Sequence, residues 1–331
     1  MNFITGGTGL LGAHLLFNLV SRGEKVRALK RSNSNLKTAE NIFKFYAPQE
    51  NLFSKIEWVE GDVLDILSLE EGMKDCDFVY HCAATVSFAK KDKEQMFKIN
   101  IEGTTNVVNV ALKLNIKKLC HVSSTAALGG STEDGKITEE KLWEEEKDRS
   151  NYAFSKKFSE MEIWRGIEEG LNAVIVNPSV IIGAGDEQKS SGALFQKVKK
   201  GLKYYTHGIN AFVDARDVAE VMIQLMKGEY QSQRYLVFSE NASFKEIFEQ
   251  IADGIKLAPP TKEAKPWMAA ILWRVEGIRS FLFGSEPLIT KENAESAFRK
   301  AYYSNEKIKK ELGFEFRTVK ESIADAAKFY R

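Results

Sequence analysis

Cysteine is scarce in this chain: Cys76, Cys82 and Cys120 are three in 331 residues, odd in number and not closely spaced. That excludes a disulfide framework and fits a reducing compartment, so a cytoplasmic location is expected. Net charge is almost absent, with 47 Lys+Arg against 46 Asp+Glu and a formal total of +1. No basic excess marks the chain for nucleic acid or an anionic membrane. Long apolar runs are missing as well. The longest, Trp267–Trp273, is far short of the roughly 20 residues that a membrane span needs. The opening Met1-Asn2-Phe3-Ile4-Thr5 has no basic stretch followed by an apolar one, so no signal peptide is expected. Proline is nearly absent from the first half, where Pro48 alone precedes Pro178. There is no internal repeat, low-complexity tract or heptad pattern.

What is present is the composition of a soluble globular protein, 44% apolar and 28% charged. At roughly 100–200 residues per domain, the length suggests about two domains or one large α/β unit with an appendage. Short apolar runs at Asn2–Thr5, Lys25–Lys30, Ile56–Glu60, Phe78–His81, Lys118–Ser123 and Ala173–Asn177 predict strands. Between them, apolar residues recur at helical spacing. Leu11, Leu15, Leu16 and Leu19 form one such set; Met96, Ile99, Val107, Val110, Ala111 and Leu114 form another. The alternation predicts an α/β fold with a Rossmann-type doubly wound parallel sheet.

After residue 182 the alternation weakens. Gly183–Gly192 reads as a loop, and helices are predicted over Leu194–Lys203, Ala215–Lys227, Phe244–Ile255, Lys265–Phe283, Lys291–Arg299, Asn305–Leu312 and Val319–Tyr330. Phe212–Val213 leads into one of them, and Tyr235–Ser239 reads as a further strand. Residues 1–182 plus 212–239 are expected to form the nucleotide-binding domain, and 183–211 plus 240–331 a smaller, mainly helical substrate domain. Trp267, Ala270, Ile271, Trp273, Ile278, Phe281 and Phe283 predict the core of that smaller domain, the alternative being the wall of an apolar substrate cleft or a lipid contact, and the charge-dense stretch Glu139–Arg149 a surface loop.

Four glycines fall within the first twelve residues, and Gly6, Gly9 and Gly12 have the spacing G-x-x-G-x-x-G between the first strand and the first helix. Glycine there permits a tight turn, backbone approach to a pyrophosphate and close helix–strand packing; the helix N-terminus offers N–H groups to the phosphates. Gly7 to Gly12 also has P-loop spacing, but Ala13-His14 follow where Lys-Ser/Thr is required, which excludes nucleotide hydrolysis. An acidic residue about 20 positions further on would accept hydrogen bonds from the ribose of NAD. Lys30-Arg31 stand there, and two cations suit a 2′-phosphate, so NADP(H) is favoured over NAD(H). Asp62, after the third strand, can accept from the adenine amino group, cap the following helix, or do both. Cys82-Ala83-Ala84 end the fourth strand with small residues that allow close cofactor approach.

Tyr152 and Lys156 are spaced i,i+4, which puts phenol and ammonium on one helix face. A nearby cation favours phenolate, so Lys156 is expected to lower the Tyr152 pKa and make it a usable general acid or base. Ser123-Ser124-Thr125 close the fifth strand at the carboxyl edge of the sheet, where ligands bind in such folds. A hydroxyl there can hold a carbonyl oxygen while Tyr152 protonates it. No G-x-S-x-G elbow surrounds Ser124, which argues against a serine hydrolase. His81-Cys82 and Cys120-His121 read as sheet residues rather than a zinc site, because adjacent strand residues point to opposite faces.

Thr5–Gly12, Asp62, Ser124, Tyr152 and Lys156, in this order, resemble the extended short-chain dehydrogenase/reductase superfamily (NAD-dependent epimerase/dehydratase family) over nearly the whole chain. Asn100–Asn106 resemble its N-x-x-G-T-x-N helix, and Val176–Ser179 and Phe212–Ala219 resemble its later signatures. Lys30-Arg31 and Val176-Asn177-Pro178-Ser179 are most similar to the dihydroflavonol 4-reductase-like branch. The resemblance implies a triad of Ser124, Tyr152 and Lys156, with Ser124 chosen over Ser123 and Thr125 by alignment to Gly129. It also implies cofactor contacts at Gly6, Thr8, Gly9, Leu10, Leu11, Gly12, Asp62, Val63, Cys82, Ala83 and Ala84. Lys156 would hold the nicotinamide ribose, and Pro178 and Ser179 would line the nicotinamide. Gly183-Ala184-Gly185 depart from the Gly-Pro of many relatives.

The expected activity is hydride transfer between NADP(H) and a small-molecule ketone or aldehyde and its alcohol, with a hydrophobic substrate and homodimer formation compatible. The alternatives are a nucleotide-sugar epimerase or dehydratase holding NAD, and a non-enzymatic NADP-sensing regulator. No metal is expected.

Overall fold

The computed structural model describes residues 1–129, 135–141, 143, 149–283 and 291–331. In chain order its strands are β1 (Asn2–Thr5), β2 (Val26–Lys30), β3 (Glu57–Glu60), β4 (Phe78–His81), β5 (Lys118–Val122), β6 (Ala173–Pro178), β7 (Val180–Ile182), β8 (Tyr204–Tyr205), β9 (Ile209–Asp214), β10 (Gln233–Val237), β11 (Glu240–Ser243) and β12 (Lys262–Glu263). The helices are α1 (Leu10–Ser21), α2 (Lys37–Tyr46), α3 (Ile66–Met73), α4 (Lys93–Phe97), α5 (Gly103–Lys113), α6 (Asn151–Glu168), α7 (Ser190–Lys199), α8 (Ala215–Lys227), α9 (Phe244–Ile255), α10 (Pro266–Phe283), α11 (Lys291–Ser296), α12 (Glu306–Leu312) and α13 (Val319–Tyr330).

Seven strands form one parallel sheet in the order β3-β2-β1-β4-β5-β6-β10. β1 and β6 are buried throughout, whereas the edge strand β3 exposes Glu57 and Glu60. That is why the central strands read as unbroken apolar runs. Successive residues alternate between faces. Ile4 joins the core built with Leu15, Leu16, Leu19 and the α8 residues Val218 and Met222. Phe3 faces the opposite core, with Leu69, Val107 and Ile163 from α3, α5 and α6. Strand order reverses between β1 and β4, which opens a crevice at the carboxyl ends of these strands.

β9 pairs with β7 and β11 in a separate three-stranded sheet, after which α8 and β10 return the chain to the large one. α7 occupies Ser190–Lys199 rather than Leu194–Lys203. Ser191 Oγ, bonded to the main chain of Gly183, fastens its first turn. Gly201, at φ +77°, turns the chain just past its end.

Two expectations fail. The stretch 266–276 of α10 is not core: none of its residues is buried, and Trp267, Ile271 and Val275 are 64%, 55% and 53% exposed. Apolar content indicated burial, but the side chains of this stretch stay exposed or half-buried; those of Ile278, Phe281 and Phe283 lie outside the described residues. Nor is Glu139–Arg149 simply a surface loop. Glu139 is buried, and its Oε1 accepts from the Leu236 N–H at 2.9 Å; residues 142 and 144–148 lie outside the described residues.

Candidate active site

The crevice at the strand reversal is lined by Gly6, Thr8, Gly9, Lys30, Arg31, Asp62, Val63, Cys82, Ala83 and Ala84, together with Leu29, Ser34, Gly61, Thr85 and Ile99. It contains about 720 Å³ of space, counting its open mouth. A second, more open cleft between α2, residues 185–188 and α13 touches none of the predicted site residues.

Each glycine has its own reason. Gly6 has φ +72°, and a Cβ there would sit 2.6 Å from the Ala83 nitrogen, so the turn needs glycine for conformation and for contact with β4. A Cβ on Gly12 would overlap the Gly6 carbonyl, so Gly12 brings α1 against the turn. Gly9 differs: it caps α1 with no side-chain hydrogen bond, and a Cβ there would meet only the Gly6 oxygen, at 3.4 Å. Space is therefore kept open beside an uncapped helix N-terminus, a cradle suited to an anion. Leu11 turns its side chain into the core, so only its backbone can face a ligand.

Lys30 ends β2 and lies 3.9 Å from the Glu60 carboxylate; Arg31 is exposed, its N–H donating to Ser34 Oγ at 2.9 Å. Asp62 does not cap α3. That cap is Asp65, whose carboxylate accepts from the Leu67 N–H, while Asp62 Oδ1 accepts from the Leu64 N–H at 3.0 Å at the cleft rim.

The structure separates the three hydroxyls that end β5. Ser123 Oγ donates to Glu160 Oε2 at 2.7 Å in the interior, and the Thr125 hydroxyl meets Tyr303. Ser124 is the one whose hydroxyl meets the Tyr152 phenol. Phe88 packs edge-on to the Tyr152 ring, with centroids 5.9 Å apart. Beneath, Lys156 Nζ donates to Val122 O at 2.7 Å. Burial pushes the Lys156 ammonium down to about 8, while the charge of Glu160 works in the opposite direction. The Tyr152 phenol is raised from its ordinary value because burial outweighs the Ser124 hydrogen bond. This corrects the expectation of a phenol lowered by Lys156: here the ammonium is turned to a backbone carbonyl.

Ser179 Oγ, at the end of β6, is buried and has no partner among the described residues. The orphaned hydroxyl and the cradle at Gly9 both fit a dinucleotide laid across the sheet edge. His81 belongs to the scaffold: its Nδ1 bonds Thr5 Oγ1 at 2.7 Å and its Nε2 bonds Thr104 Oγ1 at 3.0 Å, leaving neither nitrogen for a metal. Asn100, in a π-helical turn, ties the Thr85 backbone to Ser155 on α6.

Fold and site together define a Rossmann-type protein with a glycine-lined crevice at the strand reversal and a serine–tyrosine–lysine cluster whose lysine acts on Cys82 of the crevice lining. The profile of the NAD dependent epimerase/dehydratase family matches residues 2–237, and the chain belongs to that family, within the extended short-chain dehydrogenase/reductase superfamily. It is 29% identical, over 99% of this chain and 94% of the relative, to a Synechocystis protein provisionally described as a dihydroflavonol 4-reductase. It is 26% identical to cinnamoyl-CoA reductase 1 of Petunia hybrida, over 98% of this chain and 90% of the relative. Among solved structures, gox2253 superposes with a TM-score of 0.82 at 27% identity, covering 100% of this chain and 97% of that one.

Proposed function

We propose that this protein is an NADP(H)-dependent oxidoreductase that interconverts a small ketone or aldehyde and the corresponding alcohol. The observation that carries this reading is the meeting of the Ser124 hydroxyl with that of Tyr152, on the helix that carries Lys156, whose charge acts on Cys82 in the lining of the glycine crevice. Relatives named as reductases along nearly the whole chain support the reaction class. Lys30 and Arg31 at the ribose end of the crevice support NADP(H) over NAD(H).

The α1 N-terminus, from Gly9 through Leu10, Leu11 and Gly12, would hold the pyrophosphate, with Gly6 and Thr8 shaping the turn. Asp62 and Val63 would flank the adenine. Cys82, Ala83, Ala84, Pro178 and Ser179 would line the nicotinamide half, and Lys156 its ribose. When bound, NADPH supplies the hydride. Ser124 hydrogen-bonds the substrate oxygen and Tyr152 gives that oxygen its proton, with the Lys156 ammonium the cation one helical turn from the phenolate left behind. Residues 183–211 and 240–331 would form the substrate side, and Phe158 and Met161, exposed on α6, suit self-association.

Tyr152→Phe is the direct test. We expect NADPH oxidation with a panel of carbonyls to be abolished while cofactor affinity stays within threefold. Full activity in this variant would end the mechanism. The epimerase or dehydratase alternative, favoured by the family's description, predicts NAD that co-purifies with the protein.

A further inference from the structure

One turn beyond Lys156, α6 carries a third polar residue on the same face. Glu160 is 1% exposed and fully engaged. Its Oε2 accepts from Ser123 Oγ at 2.7 Å and from Asn177 Nδ2 at 2.8 Å. Its Oε1 accepts from Arg234 Nη1 at 2.9 Å and from Trp164 Nε1 at 3.3 Å. The other hydrogen of Asn177 Nδ2 goes to Ser124 O, at 3.0 Å. Ser123 and the main chain of Ser124 are thus both tied to one carboxylate. Arg234, from the outer strand β10, also donates to the carbonyls of Glu139 and Lys141, at 2.8 and 3.2 Å.

Stability alone is a weak reason for such an arrangement. Desolvation of a buried ion pair offsets most of its Coulomb attraction, and apolar groups of the same volume often do as well. What distinguishes this pair is where it sits. On its own helix Lys156 has Tyr152 and Glu160; β5 presents the Val122 carbonyl and His121; the end of β4 presents His81 and Cys82. The two imidazoles are buried and held far toward their neutral forms, so Glu160 is the carboxylate that acts on the ammonium.

We propose that Glu160, braced by Arg234, is a positioning residue for the catalytic cluster: it sets the backbone that presents Ser124 to Tyr152 and places a negative charge beside Lys156. The inference rests on the oxidoreductase reading above, and its test is separable from it. Glu160→Gln keeps the shape and an acceptor for Ser123 but removes the charge. We expect kcat to fall at least tenfold, with the carbonyl KM and the NADPH affinity within threefold of wild type. The titration midpoint of Lys156, followed by ¹³Cε-lysine NMR in the ligand-free protein, should fall by about one pH unit. Glu160→Asp retains the charge with a shorter reach. Its Lys156 midpoint should stay near wild type while kcat drops, and it carries the test if the glutamine variant does not fold. A role in stability only would lower the melting temperature and leave both the midpoint and kcat per folded molecule unchanged, which would overturn the proposal. If wild type reduces no carbonyl, the catalytic reading fails, and the NMR midpoint still decides whether Glu160 acts on Lys156.

Discussion

Gly9→Ala separates a glycine kept for a ligand from a glycine kept for folding. Gly9 has φ −83° and ψ 172°, a conformation open to any residue. An added methyl would meet only the Gly6 oxygen, at 3.4 Å, which is ordinary contact. Alanine is a poorer N-cap than glycine by about 0.5–1 kcal/mol, while its stiffer unfolded chain returns about 0.4–1 kcal/mol. The unliganded variant should therefore lie within about 1 kcal/mol of wild type, a shift of roughly 3 °C or less in Tm. Cofactor binding should respond very differently. The methyl projects into the crevice beside the uncapped N–H groups of α1 and would push a pyrophosphate off them. Losing one or two charge-assisted hydrogen bonds costs about 1.5–3 kcal/mol, a 10- to 150-fold weaker Kd for NADPH. Gly12→Ala is the contrasting control: its Cβ would overlap the Gly6 carbonyl and lie 2.9 Å from Gly7 Cα, both backbone atoms that cannot step aside. It should lose about 1–3 kcal/mol of stability even without ligand. Thermal melts with and without NADPH, together with titration calorimetry, measure both effects. The reasoning is refuted if Gly9→Ala binds NADPH within twofold of wild type, or if it unfolds like Gly12→Ala.

Lys156→Met should be more stable than wild type at pH 7. The folded ammonium titrates near 8 against an ordinary 10.5, so below pH 8 both states are protonated and the whole burial cost, roughly 3 kcal/mol, is present. Between those values the unfolded chain binds more protons and wild type gains stability as pH rises; urea melts at pH 7 and pH 10 should show the variant's advantage shrinking, and a constant difference would contradict this. Lys30→Ala with Arg31→Ala should lower the ratio of kcat/KM for NADPH over NADH at least tenfold, since charge-assisted phosphate contacts contribute about 1.5–3 kcal/mol; an unchanged ratio would remove these cations from cofactor choice. Trp267→Ser combined with Ile271→Ser should move Tm by no more than about 2 °C, because both side chains are more than half exposed. A larger loss by calorimetry would mean that α10 is core after all.

Much of the fold was legible because its signals are local. β1 and β4 fall where their apolar runs predicted, α8, α9 and α13 begin and end at the predicted residues, and Leu11, Leu15, Leu16 and Leu19 all face the core. Strand and helix periods are written within a few residues of one another, so a single segment suffices to read them. The glycine turn and the Tyr152–Lys156 spacing are local in the same sense. α10 misled because apolar content indicates what a helix could bury, not whether another element arrives to cover it.

The sequence by itself determined a doubly wound parallel sheet, a glycine turn ahead of an uncapped helix, and a phenol and an ammonium on one helix face. Which of three adjacent hydroxyls meets that phenol was decided only by the tertiary structure, because Ser123 is drawn into the interior by Glu160 and Thr125 is met by Tyr303. The Glu160–Arg234 pair likewise joins residues 74 positions apart. Such a contact exists only once the order β5-β6-β10 has set those strands side by side under α6. Spacing along a chain dictates which way a side chain points from its own element; what stands opposite is dictated by how the elements assemble.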